Sequence, residues 1–352
     1  MKTSFVSNLA VQNAMRLTIQ QQQAEMLNLQ KELTTGRHAD VGLTLGATTS
    51  RSLNLQRELA RMNSLTSTNS IVNQRLSASQ EALETMASAA QKVRDTLVTF
   101  KGNDSADKLA IQKTEIDSAL SLFTSAANTS FNGEFLFSGI NSDVKPLADY
   151  NSAATSTAKA AFNTALSTYM AAQVPPLTSM DQFSVAQMQD FITTVVEPMY
   201  TGAQWDANWS DASNQNMTSR ISTSEVVESS TNVNTTGVRM FALASVIASE
   251  LMDKGVTSEV RNAIGEAAID YVEQGITGID AERSKLGVAE ARVKKANDSL
   301  AAQIKLVTTH IGDIEGIDEE AASTRINLLK TQLETSYTLT SRIQQLSLLN
   351  FL

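Results

Sequence analysis

The stretch LTSTNSIVNQRLSASQEALETMASAAQKVRDTLVTF, Leu65–Phe100, decides the fold. Within it Leu65, Asn69, Val72, Leu76, Ser79, Leu83, Met86, Ala90, Val93, Leu97 and Phe100 succeed one another at alternating steps of four and three, and of these only Asn69 and Ser79 are polar. A repeat of about 3.5 residues sustained this long is the seam of a coiled coil, because it keeps one apolar stripe facing a partner as the helix winds. No Gly or Pro occurs between Ala47 and Lys101. A single helix of roughly 80 Å is therefore expected, at a rise of ~1.5 Å per residue. Gly102, Asn103 and Asp104 end it, and a second helix follows with Leu109, Ile116, Ala119, Phe123 and Ala126 on one lane.

The C-terminal part mirrors this pattern. Ile279, Arg283, Leu286, Glu290, Val293, Asn297, Leu300, Ile304, Val307, Ile311 and Ile314 keep the same alternation, polar at three early positions and apolar afterwards. Arg283 and Glu290 on this lane read as register-setting or peripheral charges rather than as a buried site. A break at Gly312–Gly316 precedes a last helix from about Asp318 to Leu352, and Met15, Ile19, Gln22, Met26, Leu29 and Leu33 mark a first helix ending at Gly36. The order is palindromic: helix, break, long helix, insert, long helix, break, helix. The simplest fold sets the two flanks antiparallel, with the terminal helices paired as a coiled coil.

The chain ends in SRIQQLSLLNFL, whose only formal side-chain charge is Arg342. No Asp or Glu precedes Glu25 or follows Glu334. Chain ends of soluble domains are ordinarily polar and frayed, and two paired helices leave wide unpaired faces. The surplus apolar residues are expected to meet other subunits. The interface candidates are Phe5, Leu9, Met15, Ile19, Met26, Leu29, Leu33, Leu333, Tyr337, Ile343, Leu346, Leu349, Phe351 and Leu352.

All four prolines lie between Pro146 and Pro198, and both tryptophans, Trp205 and Trp209, follow closely. The middle is a different kind of sequence, and 145–235 is expected to be an inserted outer domain. Helices are expected over Ala153–Gln173 and Met180–Val196, and strands after Arg220 in RISTSEVVESSTNVN. The ends of this insert should lie together, so that the helical core folds without it. The resulting division is 1–40 with 318–352 as a terminal coiled-coil domain, 41–144 with 236–317 as a helical bundle domain, and 145–235 as the insert.

Composition excludes much. The 352 residues carry a formal net charge of −9 and only 5% aromatics, which argues against nucleic acid as a partner and for long helices packed side by side. There is no cysteine, hence no disulfide, thiol chemistry or thiolate metal site. No stretch approaches the ~18 apolar residues of a membrane span, and the start MKTSFVSNLAVQNAMRL lacks the apolar core of a cleaved signal peptide. His38 and His310 are far apart with no carboxylate pattern beside them. No Gly-rich nucleotide loop occurs. Asn128-Thr-Ser fits a glycosylation sequon. Neither an enzyme nor a cofactor is expected.

Four segments resemble the bacterial flagellin family. ELTTGRHADVG, Glu32–Gly42, is similar to the turn after that family's first helix, although of the usual paired acids only Asp40 is present. SKLGVAEARV, Ser284–Val293, is similar to the opening of its C-terminal helical half. RINLLKTQLETSYTLTSRIQQLSLLNFL, Arg325–Leu352, is similar to its last helix. FNGEFLFSGINSDVKPL, Phe131–Leu147, resembles the signature of the family's hook–filament junction branch more than that of filament subunits. The resemblance implies a mainly α fold, an antiparallel long-helix coiled-coil bundle with paired termini and a smaller inserted α/β or β-containing outer domain. It also implies a structural protein of the external flagellum, exported unfolded without a cleaved signal and escorted by an export chaperone. There it would form a homo-oligomeric ring between flagellin and another hook-associated junction protein. Two alternatives stay open: a flagellin filament subunit, and a soluble coiled-coil receptor or adhesin domain sharing only the heptads.

Overall fold

The computed structural model describes residues 8–102, 105–152 and 156–349, and side chains from 10 to 342 within those ranges. The helices are α1 (Asn8–Thr35), α2 (Val41–Leu45), α3 (Thr49–Thr99), α4 (Ala106–Ala127), α5 (Thr157–Ala172), α6 (Val185–Asp190), α7 (Glu197–Thr201), α8 (Gln204–Asn208), α9 (Thr236–Leu251), α10 (Ser258–Glu315) and α11 (Glu319–Leu349). Two antiparallel hairpins complete the chain, β1 (Ser130–Phe131) with β2 (Glu134–Phe135) and β3 (Thr218–Arg220) with β4 (Val226–Glu228). The fold is mainly helical and flagellin-like, as the sequence implied, with its strands near and within the insert. Two compact units result, residues 1–64 with 300–352 and residues 65–299.

In the larger unit the lane of α3 is a buried seam. Every lane position from Asn69 to Leu97 is buried, and Leu65 and Phe100 at its ends are half-buried. On α10 the lane residues Ile279, Leu286 and Val293 are buried, while Arg283, Glu290 and Asn297 are half-buried. The helices run antiparallel, since Asn69 meets Asn297 and Gln80 meets Arg283. The Asn69 side-chain amide donates to Asn297 Oδ1 at 2.8 Å and to the Ile221 carbonyl at 2.9 Å. The polar positions of the two lanes thus meet each other, which pins the register. Arg283 turns outward to Glu84 and Asp280.

Helix α9 is buried on every side: from Gly237 to Leu251 only Arg239 is not fully covered. Phe241 stacks on Phe123 of α4 with ring centroids 4.0 Å apart. Its approach to α10 is as close as backbones allow. A Cβ on Gly278 would lie 2.5 Å from the Gly237 Cα, so neither position tolerates a side chain.

The expected helix over Met180–Val196 begins with a short turn at Met180–Gln182 and then α6, started by a Ser184–Gln187 capping box. A π-wound segment, Phe191–Val196, leads directly into α7. Helical winding thus continues past Val196, with Pro198 in the first turn of α7 directly after the π-wound segment. The expected strands after Arg220 form as β3 and β4.

The insert does not keep a core of its own. Tyr150, Phe162, Phe191, Tyr200, Trp205 and Trp209 belong to one continuous buried cluster that also holds Leu83, Phe123, Phe241 and Val293. Tyr150, Trp209 and Trp205 stack in a row, with centroids 5.3 and 5.6 Å apart. Arg239 of α9 lies over the Trp205 ring, donates to the Asn234 and Tyr200 carbonyls, and so ties α9 to the end of α7. Helices as short as α6, α7 and α8 bury little by themselves; α7 packs on α9, α8 meets it through Trp205 under Arg239, and α6 packs on the π-wound segment. We therefore retain the three-part division at 40/41, 144/145, 235/236 and 317/318 as a proposal about functional parts, within the two compact units. The sequon asparagine is also committed. Asn128 donates to the Leu147 carbonyl at 2.9 Å and accepts from the Leu147 N–H at 3.0 Å, so its amide clamps the start of the insert.

Candidate assembly surface

In the smaller unit α1 and α11 pair along their length. α1 ends at Gly36, whose φ of +65° reverses the chain where a side chain would be strained. α11 starts on Asp318, whose carboxylate accepts the N–H groups of Glu320 and Ala321 at 3.0 Å each. Cross-pair bonds run from Arg325 to Glu25 at 2.8 Å, through Gln22 to Gln332 at 3.4 Å and Gln23 to the Tyr337 hydroxyl at 2.7 Å. Nearest the chain ends, the Thr340 hydroxyl lies 3.9 Å from the Met15 sulfur.

This pairing leaves much apolar surface uncovered. Met15, Ile19, Met26, Leu29 and Leu33 all lie on the inner lane, and each is only half-buried. On α11 Leu333 is buried along with Ala322 and Leu329, whereas Tyr337 is 50% exposed. Leu9, Ile343, Leu346 and Leu349 lie in the described helices but their side chains do not, and Phe5, Phe351 and Leu352 lie outside the described residues. Sequence reasoning missed Leu17, Leu27, Leu328 and Leu339, which stand off the lane and are 47–63% exposed. Their signal was the count of large apolar residues beyond what one lane can use. A groove of about 320 Å³ runs between the helices, lined by Val11, Ala14, Met15, Thr18, Ser336 and Leu339. The Gln22 carbonyl oxygen is buried without a partner. Fully covering one leucine contributes roughly 1.5–3 kcal/mol, so this surface gains most from a neighbour.

The base of the pair is closed by a charged cluster. Glu315, the last residue of α10, has a side chain only 1% exposed. Its carboxylate accepts from Arg37 Nη1 at 3.1 Å, from Gln56 Nε2 at 2.5 Å and from the Ser52 hydroxyl. Its main-chain carbonyl accepts the His38 N–H at 3.0 Å, and the Ile317 N–H donates to the Gly36 carbonyl at 3.3 Å. His38 has its Nδ1 3.6 Å from Glu32. One part of this cluster had a signal in the sequence: an acid ending a helix faces the negative end of the helix dipole and needs a cation or donors to stay there.

The family profile described as the bacterial flagellin N-terminal helical region matches residues 6–142, and that of the bacterial flagellin C-terminal helical region matches residues 269–352. No curated protein matches the sequence. Among solved structures, a chain from Vibrio parahaemolyticus described as a flagellar hook-associated protein superposes with a TM-score of 0.54 at 12% identity, covering 77% of this chain and 99% of its own, which is a likeness of fold. Both helical ends of the family framework are present and lie paired, and on these grounds the chain belongs to the bacterial flagellin family, as a structural component of the flagellum.

Proposed function

We propose that the chain joins hook to filament as a ring of copies, between flagellin on one side and another hook-associated protein on the other. The observation that carries an assembling role is the half-covered terminal pair, with Leu17, Leu27 and Leu328 exposed off its lane and Leu339 open in the groove between its helices. Two further observations favour a junction over a filament subunit. One is the Phe131–Leu147 segment, seated on α3 through the ion pair of Arg75 with Glu134. The other is the fold likeness to a chain described as hook-associated. In this reading the protein works outside the cell and is held by an export chaperone beforehand.

Immunogold labelling of detached filaments tests the proposal. A band confined to the proximal end is the expected result; labelling along the length would make the chain a filament subunit instead. The surface itself is tested by Leu17→Asp with Leu339→Asp. Both positions are about half exposed, so the monomer should unfold as before, yet the variant should fail to enter the junction and cells should shed flagellin. Normal filaments on such cells would remove the terminal pair from the interface.

A further inference from the structure

Within the larger unit, helix α3 carries a second lane. Ile71, Gln74, Ala78, Glu81, Thr85 and Ser88 succeed one another at steps of three and four on the side turned away from the buried seam, and each is exposed or half-buried. Helix α4 has a lane of the same kind in Ile111, Glu115, Ser118, Leu122 and Ser125. The two helices lie side by side here, as Lys92 pairs with Glu115 at 2.6 Å. Between the lanes runs a groove with two wide parts. One, of about 430 Å³, is lined by Ala78, Thr85, Ser125 and Thr129, and the other, of about 470 Å³, by Ser88, Ile111 and the Lys92–Glu115 pair. Buried Ala82 and Ala126 lie in its floor, while Ile71, Ile111 and Leu122 around it are 49–55% exposed. Two lanes of coiled-coil spacing bordering one groove leave room for the ridge of a third helix.

We propose that this groove seats the outward ridge of α10 from a second copy of the chain; the proposal rests on the reading of the protein as an assembling subunit. The ridge is Ala281, Ser284, Val288, Ala291 and Lys295, which keep the same alternation on the side of α10 opposite its buried lane. All five are exposed, Val288 by 61%. Its small residues suit a groove floored by alanine, because both let helix backbones approach closely. Charge selects the occupant. From 281 to 295 the cations Arg283, Lys285, Arg292, Lys294 and Lys295 stand against only Glu282 and Glu290. The helices that border the groove are acidic on balance: over 78–99 and 111–129, Glu81, Glu84, Asp95, Glu115 and Asp117 outnumber Lys92, Arg94 and Lys113. Among the described residues, Glu81, Lys294 and Lys295 form no ion pair within the chain. Complementary potentials of this kind orient partners and suppress wrong ones. Groove and ridge lie on different faces, so each copy offers one to either neighbour. Such a contact is heterologous, and it closes into a ring where the rotation allows.

Photocrosslinking in isolated hook–filament preparations tests this, with a benzophenone side chain placed at Val288 of the full-length chain. The expected product has twice the chain mass on a denaturing gel, and mass spectrometry should map the attachment to 71–99 or 111–129 of the second copy. Attachment to a different protein, attachment elsewhere on a second copy, or no product at all would overturn the proposal. Glu81→Lys should lower the yield at least threefold, and adding Lys294→Glu with Lys295→Glu should recover at least half of it. A yield that Glu81→Lys leaves unchanged, or that the combination does not recover, would also overturn it. These positions are exposed, so unfolding of the soluble chain, followed by Trp205 and Trp209, should stay where it is. Should Glu81→Lys shift that transition, Ser125→Arg, which fills the groove from its other wall, carries the same expected loss. The place of the protein in the preparation decides the junction reading separately. A chain spread along the filament would overturn the junction and leave the groove contact standing.

Discussion

Single atoms decide where this chain tolerates change. Gly278 and Gly237 bring α9 and α10 into backbone contact, and a Cβ added at either would meet backbone atoms within 2.7 Å. Gly278→Ala forces the helices apart, and overpacking of this kind costs about 1–3 kcal/mol. Gly312 offers the opposite case. It lies inside α10, exposed, with nothing within 4 Å of an added Cβ. Gly312→Ala should stabilise by roughly 0.5–1 kcal/mol through the lower flexibility of the unfolded chain. Denaturant unfolding followed by far-ultraviolet circular dichroism distinguishes the two, and a neutral Gly278→Ala would show that the close crossing is not enforced.

Among the elements, α3 and α9 differ in how far their sequences announced them. The lane of α3 was legible because one face is buried and the other wet, so apolar residues recur at coiled-coil spacing. Leu83→Ala on that lane should cost ~2–5 kcal/mol by leaving a cavity, whereas Ile71→Ala, at 55% exposure, should stay within about 0.5 kcal/mol. Equal losses would mean that the lane is not the seam. In α9 burial on every side erases the contrast between faces, and RMFALASVIASEL gives no period to read. The terminal pair was legible as a surplus of Leu and Met. The Glu315 cluster as a whole was not, because it joins Arg37, the Ser52–Gln56 turn of α3 and Glu315, and no local spacing links these three stretches. The insert was visible from its prolines and tryptophans, but its packing with α9 was not, since no local spacing links Trp205 or Tyr200 to Arg239.

For the larger unit as a body, that dependence has a measurable result. Replacing 145–235 by a short linker should abolish the cooperative unfolding of residues 65–299, because α9 would lose the aromatic rings that cover it. An intact transition would support 145–235 as a domain that the helical core folds without. Alkali gives a second test. Burial holds the Tyr150 and Tyr200 hydroxyls well above their ordinary value of 10.0, does the same for Tyr271 with help from its bond to Glu197, and pushes Tyr169 to about 12, aided by Asp190. The folded chain keeps these protons when the unfolded chain has lost them, so unfolding is favoured as pH rises. Stability should be level up to about pH 10 and fall between about 10 and 12, read from the denaturant midpoint of tryptophan fluorescence. A midpoint that stays level across that range would mean that these hydroxyls reach water.

The meeting of Asn69 with Asn297 joins positions 228 residues apart. Pairings that distant slow folding, because a long loop must close before any contact rewards it. On the ribosome, α3 emerges early and has no seam partner until α10 has been made. A nascent chain built this way stays open and threadable through most of its own synthesis, and its slowest step is the encounter of two helices coded far apart.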